Sequence, residues 1–100
     1  MTGKQLWNAA LEGHAAKVCT LLSIQGAQSF INYQDVHGTT PLHAAALKGY
    51  EAVTKQLIAA RCNVDLQEEN GCTPLHAAAV NGHEAVTNQL IEARCIVDLQ

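Results

Sequence analysis

Two short amphipathic segments lie next to each other in the middle of the chain, and each predicts a helix. In residues 41–48 the apolar positions Leu42, Ala45 and Ala46 recur at the spacing of one helical face. Thr40 is a favourable N-cap, and Pro41 is tolerated at the first helical position because the N–H it lacks would have no helical partner there. His43 can bond back to Thr40 as in a capping box, and Gly49 ends the helix as a left-handed residue.

The second segment, from Glu51 to about Ala60, predicts another helix that leads into a turning linker. Its apolar face consists of Val53, Leu57 and Ile58, and Glu51 places negative charge where it suits the helix dipole. Residues 61–71 are expected to be extended or turning, and they end in Asn70-Gly71, a strong signal for a tight turn. We therefore expect the linker to project as a hairpin.

The predicted helix pair is repeated along the chain with a period of 33 residues. Residues 38–67 align with residues 71–100 without a gap, and 23 of the 30 aligned positions are identical. The differing pairs are 39/72, 47/80, 48/81, 50/83, 55/88, 59/92 and 63/96. A weaker copy precedes them, with about three extra residues in its linker, within residues 23–30. One helix pair cannot bury both of its faces, so stacked copies are expected to form a solenoid.

The sequence TPLHAAA, at residues 40–46 and 73–79, resembles the signature of the ankyrin repeat. The resemblance covers nearly the whole chain and implies an all-α ankyrin-repeat solenoid of about three stacked helix-turn-helix units with β-hairpin-like linkers. We expect a single domain, residues 1–100, made of repeat 1 at about 3–35, repeat 2 at about 36–68 and repeat 3 at about 69–100. Repeat 1 lacks the Thr-Pro pair, as expected of a degenerate N-terminal cap, and Trp7 is expected to pack inside it.

The chain departs from the family pattern after the second helices and at its C-terminal end. Arg61 and Arg94 stand where the family usually has glycine, and a left-handed conformation is expected to strain them. No C-terminal cap follows repeat 3, so its outward face is expected to expose apolar side chains from among Val86, Leu90, Ile91 and Cys95. Such exposure favours an N-terminal piece of a longer array, or self-association through the uncapped repeat.

Composition and charge exclude several classes of function. The chain is 48% hydrophobic and 4% aromatic with a net charge of -3, so no basic footprint for nucleic acid is present. No apolar run approaches the ~20 residues of a membrane span, and the first residues do not resemble a signal peptide. We therefore expect an intracellular protein, with the cytoplasm favoured and the nucleus left open.

The cysteines and histidines form no recognisable chemical motif. The four cysteines, Cys19, Cys62, Cys72 and Cys95, are too far apart in sequence for a zinc knuckle, and reduced thiols are expected. His43 and His76 are expected to cap helices, whereas His14, Tyr50 and His83 are expected to face solvent after the helix-ending glycines. No catalytic spacing or phosphate-binding glycine loop is present, so we expect no enzyme, cofactor or metal site.

The resemblance to ankyrin repeats implies a concave protein-binding surface made of hairpin tips and the exposed face of the first helices. The residues that match this surface are Leu11, Glu12, Val36, His37, Thr39, Leu47, Lys48, Glu69, Asn70, Cys72, Val80 and Asn81. Exposed Leu11, Leu47 and Val80 in one stripe favour a real groove over free drift of duplicated surface positions. The resemblance also makes Asn32 a position that can be hydroxylated in animal repeats, although a structural use is expected.

The function expected from these observations is a non-catalytic module that binds a partner protein. One alternative is an architectural spacer in a longer repeat array. Another is a substrate-recruiting arm of an enzyme whose catalytic domain lies beyond residue 100. The fold does not identify the partner, because function depends on surface residues placed on a common scaffold.

Overall fold

The computed structural model describes residues 2–98, with the side chains of residues 3–94. These residues form α1 (Thr2–Glu12), α2 (Ala15–Leu22), α3 (Pro41–Lys48), α4 (Glu51–Ala59), α5 (Pro74–Val80) and α6 (Glu84–Asp98). A short 3₁₀ helix, Ala27–Ser29, lies where the first linker has its extra residues. No strand is assigned within residues 2–98, and the predicted all-α class is confirmed.

Helix α3 begins and ends as its sequence predicts. The hydroxyl of Thr40 accepts the backbone N–H of His43 at 3.2 Å, and Nδ1 of His43 accepts the N–H of Thr40 at 3.2 Å. Gly49 ends the helix with φ of 75°, a conformation that glycine adopts without strain. In α5 the hydroxyl of Thr73 accepts the N–H of His76 at 3.3 Å. The threonine hydroxyl therefore caps the helix in both repeats, whereas the return bond from the histidine ring is present in α3 and absent from the described bonds of α5.

The linkers before α3 and α5 form hairpin turns. In the first, the N–H of Gly38 donates to the carbonyl of Asp35 at 2.9 Å, and the N–H of Asp35 donates to the carbonyl of Thr39 at 3.0 Å. The second hairpin repeats both bonds at the aligned positions. The N–H of Glu69 also donates to the carbonyl of His37 at 2.9 Å. Each tip is thus stabilised by its own bonds and by its neighbour.

The helices stack in two rows, α1–α3–α5 and α2–α4–α6, with each helix packed against the next in its row. The core between the rows includes the buried side chains Leu6, Val18, Ile31, Leu42, Val53, Leu57, Val86 and Leu90. Ala45 and Ala46 of α3 are fully buried, and their small side chains let α3 approach both neighbours closely. The stack is the predicted repeat solenoid.

Two of the three ring side chains that were expected to face solvent instead join adjacent repeats. A β-carbon built on Gly13 would lie 2.9 Å from the ring of Tyr50, and one on Gly49 would lie 2.5 Å from Nδ1 of His83. The prediction was therefore wrong for Tyr50 and His83, because each helix-ending glycine leaves space that the ring of the next repeat fills. His14 is exposed, as predicted.

The two arginines after the second helices have different conformations. Arg61 has φ of 65° and is the only non-glycine residue with positive φ in the described part of the chain. Arg94 lies inside α6, and its Nε is 3.1 Å from Oδ1 of Asp65. The left-handed strain considered for both arginines is therefore absent at Arg94, because α6 continues past this position. In the preceding repeat the end of α4 is capped from outside, since the side-chain amide of Gln28 donates to the carbonyl of Ala60 at 2.6 Å.

Candidate functional site

A groove of about 320 Å³ lies between α3 and α5, beside the two hairpins. It is lined by Thr39, His43, Leu47, Glu68, Cys72, His76, Ala77, Val80 and Asn81. Its apolar part is accessible to a partner, because Leu47 is 44% exposed and Val80 is 69% exposed. These two residues occupy the same repeat position near the ends of α3 and α5. The duplication therefore places two aliphatic side chains in register at the surface.

Leu11 was expected to extend this exposed stripe, and the structure corrects that expectation. Its side chain is half-buried and packs against the core cluster. Burial removes its apolar surface from water, which is favourable and leaves less of it for a partner. The exposed stripe therefore consists of two aliphatic side chains rather than three.

The other predicted residues fall into three groups. Those that line the groove are Thr39, Leu47, Cys72, Val80 and Asn81. Those at the exposed hairpin tips are Val36, His37, Glu69 and Asn70. Glu12 and Lys48 are exposed at the C-terminal ends of α1 and α3. The groove and the tips thus bring most of the predicted residues to adjacent surfaces.

Four groove-lining residues were missed by the sequence analysis: His43, Glu68, His76 and Ala77. The two histidines were assigned to helix capping alone, although their rings also reach the groove. Glu68 aligns with Asp35, and both acids stand at the start of a hairpin turn. An acidic residue recurring at a hairpin start was a signal that could have identified Glu68.

Glu68 is a fixed negative charge at the edge of the groove. Its Oε1 accepts the N–H of Cys72 at 3.0 Å and the N–H of Asn70 at 2.6 Å. The bond from the Cys72 N–H is the main cause that lowers the pKa of Glu68 below its ordinary value, because it stabilises the ionised form. The carboxylate of Asp35 accepts two N–H groups of its own hairpin in the same way. The two carboxylates therefore stabilise their hairpin turns through hydrogen bonds and also give the turns negative charge.

The hairpin tips also meet through side chains. Nδ1 of His37 lies 3.1 Å from Oε1 of Glu69, and both side chains are more than half exposed. An exposed pair of this kind contributes at most about 1 kcal/mol to stability. Its main effect is to present polar groups at the rim of the groove.

His43 is a neutral structural histidine between repeats 2 and 3. Its Nε2 donates to the carbonyl of Cys72 at 2.9 Å, while its Nδ1 accepts from the N–H of Thr40. Burial lowers the pKa of His43, because the charged ring would lose contact with water. Both ring nitrogens are already used in structural bonds, which leaves the ring no free nitrogen for acid–base chemistry.

The described cysteines are free thiols, and two of them have a raised pKa. Cys19 is exposed, whereas Cys62 and Cys72 are half-buried. Burial raises the pKa of Cys62 to about 12 and also raises the pKa of Cys72. A raised pKa disfavours the reactive thiolate. The side chain of Cys95 lies outside the described residues.

Asn32 has the structural use that was expected. Its Oδ1 accepts the backbone N–H of Asn63 at 2.8 Å, so it joins the linker of repeat 1 to the linker of repeat 2. Among the described residues, no group of three or more His, Cys, Asp or Glu side chains could hold a metal ion.

The stacked helix pairs and projecting hairpins define a helical repeat protein with a concave groove. The chain belongs to the ankyrin repeat family, since the family described as "Ankyrin repeats (3 copies)" matches residues 6–100. Members of this family are generally protein-interaction modules and are typically not catalysts. The comparison with curated proteins returned no match. No helix in the described residues is long and apolar enough to span a membrane.

Proposed function

We propose that this chain binds a partner protein in the groove between α3 and α5 and performs no chemistry of its own. The observation that supports the proposal most directly is the pair of exposed aliphatic side chains, Leu47 and Val80, in one accessible depression. Large apolar side chains that meet in a concave surface are typical of binding sites. Membership of a family of interaction modules supports the same function.

The charges around the groove favour a partner segment that carries a basic side chain next to an apolar one. Glu68 is ionised at the groove edge, and Glu69 is exposed at the adjacent tip. Lys48 is the nearby exposed cation at the end of α3. An apolar side chain of the partner would cover Leu47 and Val80 while an arginine or lysine lies towards the two glutamates. Complementary charges of this kind favour one partner over others and speed its association.

The three thiols that are free in the described residues support a reducing compartment. We therefore propose that the module acts inside the cell.

The test is selection of displayed peptides against the immobilised chain, followed by calorimetry with purified variants. Leu47→Ala/Val80→Ala removes the apolar part of the groove. Ile24→Ala/Ile91→Ala is the matched control, because these side chains are 45% and 46% exposed and do not line the groove. We expect the groove variant to weaken binding by at least ~10-fold, as truncation of central contacts does, and the control to bind like the parent.

A separate variant tests whether the groove prefers a partner with a basic side chain. Glu69→Lys should weaken binding of the selected peptides, with a smaller loss at high salt because exposed charges are screened. Equal loss in the groove variant and its control would contradict the proposed site. Failure to select any peptide would favour the architectural spacer instead.

A further inference from the structure

The pair Asn-Gly occurs twice in the chain, once at a hairpin tip and once at the end of a helix. Asn70-Gly71 lies at the tip of the second hairpin, and Asn81-Gly82 follows α5. Asparagine is a chemically labile residue, and glycine has no β-carbon to keep its backbone nitrogen away from the preceding side chain. An Asn-Gly pair therefore reacts with itself, and its surroundings decide how fast it does so.

The side chain of Asn70 is unrestrained. Asn70 and Gly71 are both exposed, and no hydrogen bond of the Asn70 side-chain amide is present in the described part of the chain. A β-carbon built on Gly71 would meet nothing within 4 Å. The side-chain amide and water therefore both reach the peptide bond between Asn70 and Gly71 without obstruction.

The side chain of Asn81 is held in place, although it is exposed as well. Its Nδ2 donates to the carbonyl of Ala77 at 2.8 Å, one turn back along α5. The N–H of Gly82 donates to the carbonyl of Ala79 at 3.2 Å and so belongs to the end of the same helix. Bringing the amide of Asn81 to the nitrogen of Gly82 therefore breaks a side-chain bond as well as a bond of the helix end.

Backbone bonds also protect the pair at the hairpin tip, but more weakly. The N–H of Gly71 donates to the carbonyl of Glu68 at 2.8 Å, and this bond must open before the nitrogen reacts. An exposed loop tip opens at a lower free-energy cost than a packed element does. The protection of Asn70 is therefore weaker than that of Asn81.

We propose that Asn70 is a modification site at which the folded chain converts the asparagine into aspartate or isoaspartate, with water as the co-reactant. The backbone nitrogen of Gly71 attacks Cγ of Asn70, and the new C–N bond closes a five-membered succinimide ring. The bond from Cγ to Nδ2 breaks, and Nδ2 leaves as ammonia with the proton that the Gly71 nitrogen gives up. Water then opens the ring at either carbonyl and leaves a carboxylate, and no electrons are gained or lost.

The new carboxylate lies beside Glu68 and Glu69 at the rim of the groove. Its effect on binding rests on the function proposed above, because a third negative charge there strengthens the attraction for a basic partner segment. The aligned tip of repeat 2 has His37-Gly38 instead of Asn-Gly. The change of charge therefore falls on one of the two hairpins alone.

The test is to incubate the folded chain at neutral pH and to follow both asparagines by mass spectrometry. Both lie in one tryptic peptide between Arg61 and Arg94, so fragmentation spectra assign each exchange of ammonia for water. Asn70 should react ~5-fold faster than Asn81, the factor expected from one additional hydrogen bond at Asn81. Equal rates at the two sites, or a faster reaction at Asn81, would overturn the proposal.

Incubation in urea tests whether the fold causes the difference. The two pairs have the same residue types, so their rates should become similar in the unfolded chain. A ratio that stays the same in urea would refute the structural argument.

Asn70→Gln is the matched variant, because its side chain keeps the amide but is too long to close the five-membered ring. It should lose most of the acidic species that the parent forms during incubation, as measured by ion-exchange chromatography. Formation of these species at the parental rate would contradict the assignment to Asn70.

Asn70→Asp reproduces the added charge and tests its effect on the groove. It should bind the selected basic peptides ~2–5-fold more tightly at low salt, the range expected for one exposed ion pair. Unchanged affinity would overturn the effect on binding. The covalent step is judged from the mass spectra, which do not depend on any partner.

Discussion

Glycine substitutions at Arg61 and Arg94 should change stability in opposite directions, although the two arginines occupy the same repeat position. Arg61 is left-handed and exposed, and no ion pair of its side chain is present in the described residues. Arg94 is helical and pairs with Asp65. Glycine should therefore relieve strain at the first position, whereas at the second it should weaken a helix and remove an ion pair.

The expected magnitudes follow from these two environments. A non-glycine residue in the left-handed region costs about 1–2 kcal/mol, and glycine gives back about 0.5–1 kcal/mol through its freedom in the unfolded chain. Arg61→Gly should thus raise the free energy of unfolding by about 0.5–1 kcal/mol, or ~2–8 °C in Tm for a domain of this size. At Arg94, a helical glycine costs about 1 kcal/mol and the lost surface pair about 0.2–1 kcal/mol. Arg94→Gly should therefore lower Tm by ~5–15 °C.

The assay is thermal unfolding followed by circular dichroism at a helical wavelength, with the parent and both variants under one buffer condition. Arg61→Ala is the control, because alanine keeps the β-carbon that causes the strain and removes only the guanidinium arm. It should melt close to the parent. The reasoning is refuted if Arg61→Ala rises as much as Arg61→Gly, or if Arg94→Gly raises Tm as well.

Three further predictions concern single side chains. Thr54→Val should raise the free energy of unfolding by about 1 kcal/mol in urea titrations, because the Thr54 hydroxyl is buried without a partner among the described residues. The hydroxyl of Thr87 donates to the carbonyl of His83 at 2.8 Å, so Thr87→Val should bring no such gain. Above the ordinary pKa of histidine, near 6.5, His43 is neutral in both the folded and the unfolded chain, and its full contribution to the free energy of unfolding is present. As the pH drops from there towards the lowered pKa of His43, the free energy of unfolding should fall, because the unfolded chain binds a proton at this histidine before the folded chain does. Urea titrations at stepped pH should show this loss, and His43→Gln should reduce it; an unchanged slope would exclude His43 as the cause. Trp7→Phe should lower the free energy of unfolding by about 1 kcal/mol in the same assay, since Nε1 of Trp7 donates to the carbonyl of Thr39 at 3.1 Å.

The helices of repeat 2 could be predicted from the sequence because the signals that bound them are local. Thr40, Pro41 and His43 lie within four positions and start α3, and Gly49 ends it. The contacts between repeats could not be predicted in this way. Whether the ring of Tyr50 lies in water or over Gly13 depends on the approach of two helices, which no nearby residue specifies.

The candidate site was partly predictable for the same reason. The family pattern led to the hairpin tips and to Leu47 and Val80, whose positions follow from the repeat itself. The error at Leu11 came from carrying a repeat position into the degenerate first repeat, where the side chain packs against the core. The strain considered at Arg94 came from treating one sequence as one conformation. Arg61 is left-handed at a helix end that the side chain of Gln28 caps, whereas Arg94, at the same repeat position, is helical because α6 continues past it.

Comparison of the two near-identical repeats indicates why the groove lies between them. Positions that start the helices and hold the stack, such as Thr40 and His43, are the same in repeats 2 and 3. Three of the differing pairs, 39/72, 47/80 and 48/81, contribute side chains in or beside the groove, where stacking places little constraint on residue type. A groove formed by two such layers is asymmetric, with leucine on one side and valine on the other. Under the proposed function, this asymmetry favours one orientation of the partner. Exchanging Leu47 and Val80 should therefore change binding and leave the fold intact.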